Sequence, residues 1–397
     1  MEDESTLYTN IKRLSAMDKK RQHYIPQHFL KNFSLSDNRL YVFPLSNGRC
    51  YPSEINNIAK EDFFYGNDIP AIKFENNLSI SESWHSEIIK KIIKNYSLNS
   101  LNNDDYLLLR TLILFQESRT KSAKIFSVIY SNFQTANGKI DINHFKKLPR
   151  NVGKEMGHPY RTAFGLLMQA PILSHESISD LKMALLINIT NKNFICGDAP
   201  TVRFNQLKIK NERLFSLFSP GLEIFYPLNN ELLLLFYDPK AYDIEFDFGS
   251  VCYVNKLADI DALNKLQLIN ALEFVLFSDI TQRENVEKMY HEIQMIIHKN
   301  VKKTFGSFEK GRDLINGFDS NYWNLFCFIS KYFNYKLNLS FIHRNLEYEQ
   351  YWLKKYNDAV KLGIKPELVR DEDLKKRVYE KIKEEINDTR TSLRSAF

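Results

Sequence analysis

The chain reads as an α+β fold of 397 residues, and three observations carry that reading. Asn47-Gly48 lies between two β-prone runs, residues 39–43 and 49–51, which is a hairpin signature. A series of short apolar runs between residues 184 and 254 is punctuated by turn chemistry at Pro220-Gly221, Asn229-Asn230 and Asp238-Pro239, and such short connections call for antiparallel pairing. Amphipathic helical stretches stand between and after these strands, so the expected architecture is an antiparallel sheet built from early and middle hairpins, with a helical insertion and a helical C-terminal region.

Residues 1–20 form an N-terminal arm, with room for a short helix over 7–20. In Arg21-Gln22-His23-Tyr24-Ile25-Pro26-Gln27-His28-Phe29-Leu30-Lys31-Asn32-Phe33, Ile25 precedes a proline and should be extended, and Pro26 suits the first position of a helix. Phe29, Leu30 and Phe33 give that helix its apolar stripe. After the 39–51 hairpin, residues 58–65 make a short element ending at Gly66. A helix follows over 79–96, with Ile80, Trp84, Ile88, Ile89, Ile92 and Ile93 on one face and Glu82 off it. Asp104 or Asp105 can cap the next helix, which runs to about residue 133 and carries Glu117 and Arg119 on different faces. Asn137-Gly138 breaks the pattern, and helix resumes around 160–169.

Residues 184–189 and 194–196 enclose Asn191-Lys192-Asn193 and read as another hairpin. Strands follow at 201–204, 222–228, 232–237 and 250–254, then helices over 257–277 and 283–300. Gly306, Gly311 and Gly317 mark a loop region, residues 322–333 are rich in aromatics at helical spacing, and 346–394 is charge-rich helix. The division is an arm at 1–20, an α+β body at 21–302 with its helical insertion at about 79–170, and a helical C-terminal region at 303–397.

Hydrophobic content of 44% with 29 Phe and 21 Tyr requires a packed interior, while 13 Gly and 12 Pro argue against a linker-rich chain. Cys50, Cys196, Cys252 and Cys327 show no zinc-binding spacing and suit free thiols in a reducing compartment. No apolar run is long enough to cross a bilayer and the acidic start is not a secretory signal, so the expected location is cytoplasmic, away from membranes. The net charge of +6 permits an acidic partner without requiring one.

His-Tyr-Ile-Pro-Gln from His23 to Gln27 opens a string of landmarks. Glu75 and Glu82 follow, then Gln116-Glu117-Ser118-Arg119-Thr120, then Phe194-Ile195-Cys196-Gly197-Asp198-Ala199-Pro200, then Tyr226-Pro227-Leu228, and last Asn255 with the helix ending Phe277-Ser278. In this order they resemble an uncharacterised, mainly bacterial family, domain-of-unknown-function family 4238, over about the first two thirds of the chain. Lys121 stands where the family's Arg-Thr landmark often runs on into proline, and Gly197-Asp198-Ala199-Pro200 replaces its Ser-Asp-Asn-Pro. The resemblance implies no particular reaction.

The polar members of these landmarks are the candidate site. His23 lies just before a helix start, where it suits a general base, a proton donor or a phosphate contact, or else simply secures the chain there. Gln27 and His28 occupy the first helical turn as candidate binding groups. Asp198, Glu117 and Glu82, with Glu75, are candidate acids or metal ligands; Arg119 is a candidate phosphate contact or the partner of one of these acids. Phosphate-loop, dinucleotide-fingerprint, zinc-protease and serine-elbow motifs are absent, and Asp198 is not followed by the Glu-x-Lys strand of a common metal nuclease.

Two functions are expected. One is a bacterial effector acting on RNA or DNA, a nuclease of toxin or phage-defence type, for which a divalent ion such as magnesium is the candidate cofactor. The other is a non-enzymatic scaffold whose C-terminal helices bind a protein partner. Both turn on whether these side chains meet in one cavity.

Overall fold

The chain is seen in a computed structural model that describes residues 21–34, 38–65, 69–124, 174–207, 216–305, 335–364 and 366–395, with side chains described outside 69–77, 300–305 and 385–395. The expected arm at 1–20, the helix around 160–169, the glycine loop from 306 and the aromatic stretch 322–333 lie outside the described residues, as does the side chain of Glu75.

The fold is α+β. Its centre is the long apolar runs β8 (Leu222–Pro227) and β9 (Leu232–Tyr237), in which every residue is buried. Strands of this kind can only sit in the middle of a sheet covered on both faces. Accordingly they pair antiparallel with one another inside a five-stranded sheet, in the order β11 (Val251–Val254), β5 (Lys182–Asn188), β9, β8 and β7 (Val202–Asn205). Side chains alternate between two cores. Leu185, Ile224, Tyr226, Leu234 and Phe236 face α1 (Gln27–Phe33), α2 (Ile69–Asn95) and α3 (Asn103–Ser118). Ala184, Leu186, Phe225, Leu233 and Leu235 face α4 (Leu257–Asn270) and Trp352 of α6 (Leu346–Lys361). Each buried leucine contributes roughly 1.5–3 kcal/mol, which is why the double-faced sheet dominates the energetics.

The second sheet has the order β3 (Tyr51–Glu54), β2 (Arg39–Pro44), β12 (Phe274–Phe277) and β6 (Cys196–Gly197). Its core is completed by Val286, Met289, Ile293 and Ile297 of α5 (Arg283–Phe305). The hairpin expected at Asn47-Gly48 is the β2–β3 pair, with Gly48 at φ 64°. Two short antiparallel pairs complete the strands: β1 (Arg21–His23) with β4 (Lys60–Asp62), and β10 (Tyr242–Ile244) with β13 (Ile342–Arg344). Arg370, just before α7 (Glu372–Ser395), ties the C-terminal region to the body through Asp180 at 2.6 Å and the Ser177 carbonyl at 2.7 Å.

Several local expectations are corrected. The runs at 184–189 and 194–196 do not form a hairpin: β5 pairs with β9 and with β11, and β6 pairs with β12 in the other sheet. The β5–β11 pair is parallel, an exception to the antiparallel expectation. The helix expected over 257–277 stops at Asn270, and Phe274–Phe277 is a strand. Its apolar run suits either period, and the choice is made by Asp198, whose carboxylate accepts the backbone N–H groups of Leu272 and Glu273 at 2.8 Å each and so pins the chain leaving the helix. The cap of α3 is Asn102, with Asp105 completing a capping box at the third position, and α3 breaks at Ser118, with helix resuming over residues 121–124; the rest of the expected run to 133 lies outside the described residues. Finally, α2 begins ten residues earlier than expected, and Ile80 and Trp84 are 54% and 52% exposed while His85, beside them, is buried.

Polar side chains at intervals of three on α4 hold the backbone of residues 195–201. Asn264 accepts from the Ile195 N–H at 3.0 Å, Gln267 accepts from Gly197 N–H at 3.0 Å and donates to the Pro200 carbonyl at 3.1 Å, and Asn270 donates to the Thr201 carbonyl at 2.8 Å. Strand β6 therefore lies hard against the helix. A Cβ on Gly197 would meet the Gln267 carbonyl oxygen at 3.0 Å and the Ala271 Cβ at 3.2 Å, both of which are firmly held. Gly197→Ala is expected to destabilise the protein by about 1–3 kcal/mol in urea unfolding, and an unchanged midpoint would show that the helix and strand can part.

Candidate functional site

The opening motif folds as it does because its backbone is held from three directions. Pro26 is the cap of α1, one position before the expected one, and its carbonyl accepts from Phe29 N–H at 3.1 Å and Leu30 N–H at 3.2 Å. Tyr24 donates its N–H to the Ala59 carbonyl at 3.0 Å and accepts from the Gln116 side chain at 3.1 Å. Most of the restraint comes from Arg119, which caps the C-terminus of α3 and is 2% exposed. Its Nη2 donates to the His23 carbonyl at 2.8 Å, its Nη1 to Glu82 of α2 at 2.6 Å and its Nε to the Tyr65 hydroxyl at 3.0 Å. Tyr65 in turn donates its O–H to the same His23 carbonyl at 3.0 Å, while its own N–H is held by Gln22 at 2.7 Å. Burial alone would pull the guanidinium's pKa down, but Tyr65 and Glu82 outweigh it and the group stays firmly charged.

Beside this knot lies an open cleft of about 450 Å³, lined by His23, Gln27 and His28 from the motif, by Tyr65 and Arg119, and by Ser79, Glu82, Ser83 and Ser86 of α2. The imidazoles are the reactive groups in it. His23 has its pKa lowered, by burial first and then by Lys60, its cross-strand neighbour in the β1–β4 pair, while a backbone hydrogen bond at Asn56 pulls the other way. Its Nε2 lies 3.5 Å from the side-chain nitrogen of Gln27, which also lines the cleft. His28 is pushed down to about 4 by burial, with Glu82 opposing and Arg119, Lys90 and Lys31 adding to the effect. Behind it the buried His85 is also pushed down to about 4, by burial, by His28 and by Arg119. At neutral pH these are uncharged imidazoles. The His28 Nε2 is buried with no hydrogen-bond partner among the described residues, which costs about 1–3 kcal/mol unless a ligand supplies one.

Of the residues expected to form a site, the structure brings five together: His23, Gln27, His28, Glu82 and Arg119. It leaves two elsewhere. Asp198 is 2% exposed and occupied with Leu272 and Glu273; burial, then Glu273, raises its pKa to about 7, and it does not line the cleft. Glu117 pairs with Arg203 at 2.6 Å, on a different face of α3 from the cleft. Arg119, expected as a phosphate contact or a partner for an acid, takes the second part, since three of its N–H groups are already committed. Tyr65, Ser79, Ser83, Ser86 and His85 were not anticipated. The serines were findable: with Glu82 they recur at three- and four-residue spacing and make one polar face of α2. Among the described residues no group of three or more His, Cys, Asp or Glu side chains converges in a way that could hold a metal ion.

Residues 21–281 match a family described as "Protein of unknown function (DUF4238)". The chain belongs to the DUF4238 family. No curated protein and no solved structure matches it. Every residue lining the cleft falls within the DUF4238 span, as does the polar wrap around Asp198, so both are features of the matched region. Among the described residues no helix is long and apolar enough to cross a membrane.

The knot at Arg119 makes a direct prediction. Arg119→Ala removes the donor to Glu82 and one of the two donors to the His23 carbonyl, and is expected to cost about 3–5 kcal/mol in urea unfolding, the range for breaking a buried ion pair. Arg119→Lys recovers only part of this, because an ammonium cannot reproduce the planar fork that serves three acceptors. A midpoint within error of wild type for Arg119→Ala would show that the motif is held by something else.

Proposed function

We propose that the cleft is an acid–base site that cleaves a nucleic-acid phosphodiester, with His23 as the proton-transferring residue and His28 beside it. The observation that carries this reading is the presence of two neutral imidazoles on one open cleft with cationic side chains near each: Lys60, itself beside Arg21, near His23, and Lys31 and Lys90 near His28. A base poised in its neutral form suits proton abstraction at physiological pH, and flanking lysines suit a polyanion whose backbone crosses the opening. Glu82 and Arg119 set the shape of the site, since each already satisfies the other. A bacterial toxin or phage-defence effector acting in the cytoplasm is the biological setting in which we place such an activity, and the free thiols of Cys50, Cys196 and Cys252 suit that reducing compartment.

A second reading, a scaffold that binds a protein through its C-terminal helices, is favoured by a different observation. Tyr351, Val360, Leu362, Ile364 and Tyr379, on and between α6 and α7, are 50–73% exposed, a concentration of apolar surface of the sort that marks interaction sites. On this reading Arg119, Gln116 and Asp198 are structural ties alone.

Incubating mixed RNA and DNA with the wild-type protein and with His23→Ala, with and without magnesium, separates the two. Cleavage by the wild type that falls at least about 100-fold in His23→Ala supports the acid–base site, that being the lower end of what a positioned general base contributes. No cleavage by either protein, or equal cleavage by both, removes the enzymatic reading and leaves the scaffold.

A further inference from the structure

We propose that two surface patches of this chain dock on a second copy of it: the acidic, aromatic loop after β10 of one copy receives the basic, apolar tip of α6 of the other, and the reverse, in a two-fold dimer. Neither patch lines the cleft, so the proposal stands or falls separately from the catalytic reading.

The loop comes first. From Asp243 to Phe248 carboxylates alternate with apolar side chains, Asp243, Glu245 and Asp247 with Ile244, Phe246 and Phe248, and all but Ile244 are exposed. Phe248 is 69% exposed. The backbone beneath is nonetheless well held. Glu245 donates its N–H to the Phe341 carbonyl at 3.1 Å, Asp247 donates to the Val251 carbonyl at 2.9 Å, Val251 donates back to the Phe248 carbonyl at 2.8 Å, and Gly249 turns the chain at φ 57°. The Asp247 carboxylate accepts the Tyr253 N–H at 2.6 Å, and Glu245 meets the His343 ring at 2.6 Å. These bonds occupy the outer edge of β11, so a partner meets side chains there and not an open strand edge. The local field is negative: Asp247 and Glu245 add to burial in raising the Cys252 thiol to about 12.

The tip is equally well held. Gly363, at φ 68°, donates its N–H to the Val360 carbonyl at 3.0 Å, and Ile364 donates to the Ala359 carbonyl at 2.9 Å, the Schellman closure of a helix. That closure accounts for the glycine. It does not account for Val360, Leu362 and Ile364 around it, which are 50–73% exposed. Lys354, Lys355 and Lys361 are exposed on the same end of α6, with Asp358 among them. One patch is thus acidic and aromatic, the other basic and aliphatic, and each is displayed on fixed backbone. Outside partners for the two would have to be of opposite kinds, whereas a second copy satisfies both. A two-fold axis forms both contacts at once, the lysines finding the carboxylates and the aliphatic side chains covering the rings.

Sedimentation velocity on the full chain over a concentration series tests this. Expected is a species of twice the chain's mass that dissociates as salt is added, because exposed charges are screened. Phe248→Ser and Leu362→Ser should each weaken self-association by at least about tenfold, the loss that follows removal of an apolar anchor, with melting temperatures unchanged. Charge reversal is the sharper arm. Asp243→Lys with Glu245→Lys makes both patches positive, and Lys354→Glu with Lys361→Glu makes both negative. Asp247 and Lys355 are spared, since one holds the Tyr253 N–H and the other lies 4.7 Å from the centre of the Trp352 ring. Each reversed protein should be monomeric by itself, and an equimolar mixture should give a dimer of one of each. A monomeric wild type, a dimer indifferent to Phe248→Ser and Leu362→Ser, open chains longer than a dimer, or a mixture that does not pair overturns the proposal. Should a reversed protein fail to fold, the two serine variants decide.

Discussion

A single buried guanidinium organises the region that matters. Arg119 sits at the end of α3 and reaches three segments that are far apart in sequence: His23 through its carbonyl, Tyr65 through its hydroxyl and Glu82 through its carboxylate. Taking a charge out of water is costly, and the cost is met only because Glu82 and the hydrogen bonds are all in place at once. That all-or-none requirement fixes where α1, α2 and the β1–β4 pair stand relative to one another. The cleft is the space left between them.

The same arrangement sets the electrostatics of the site. Glu82 and Arg119 oppose one another at His23 and His28, Arg119 alone of the two acts on His85, and burial is the leading influence on all three. Histidines held neutral in a polar, open cleft are proton acceptors in waiting. A second tie, Asp198 with the α4 side chains Asn264, Gln267 and Asn270, performs a parallel service for the sheets: it fixes the exit of β6 and the approach to β12 without contributing to the cleft.

Much of this was legible in the sequence, and what was not has identifiable causes. Pro26 announced the helix, Asn47-Gly48 the hairpin, and the unbroken apolar runs at 222–228 and 232–237 the central strands, because each is a local effect. The polar landmarks around His23, Glu82 and Arg119 also proved to be neighbours. Pairing across long sequence distances was not legible: nothing near residue 196 says that β6 lies beside β12 instead of β5. Nor was the break after Asn270, where the apolar run fits either period and the hydrogen bonds from Asp198, more than seventy residues away, decide. Asp198 itself looked catalytic for the reason that it is structural, a lone carboxylate in an apolar stretch. Ile80 and Trp84 misled in the opposite direction, since their spacing matches a core stripe while the packed face of α2 runs through His85, Ile88, Ile89 and Ile92.

The central claim is that the cleft holds buried, uncharged imidazoles against the Arg119 knot. Its most direct test is a pH titration of the histidine side chains by heteronuclear NMR on the wild-type protein. His28 and His85 should remain neutral well below pH 6 and titrate near 4. Midpoints for both close to 6.5, the value of a solvated imidazole, would contradict the account.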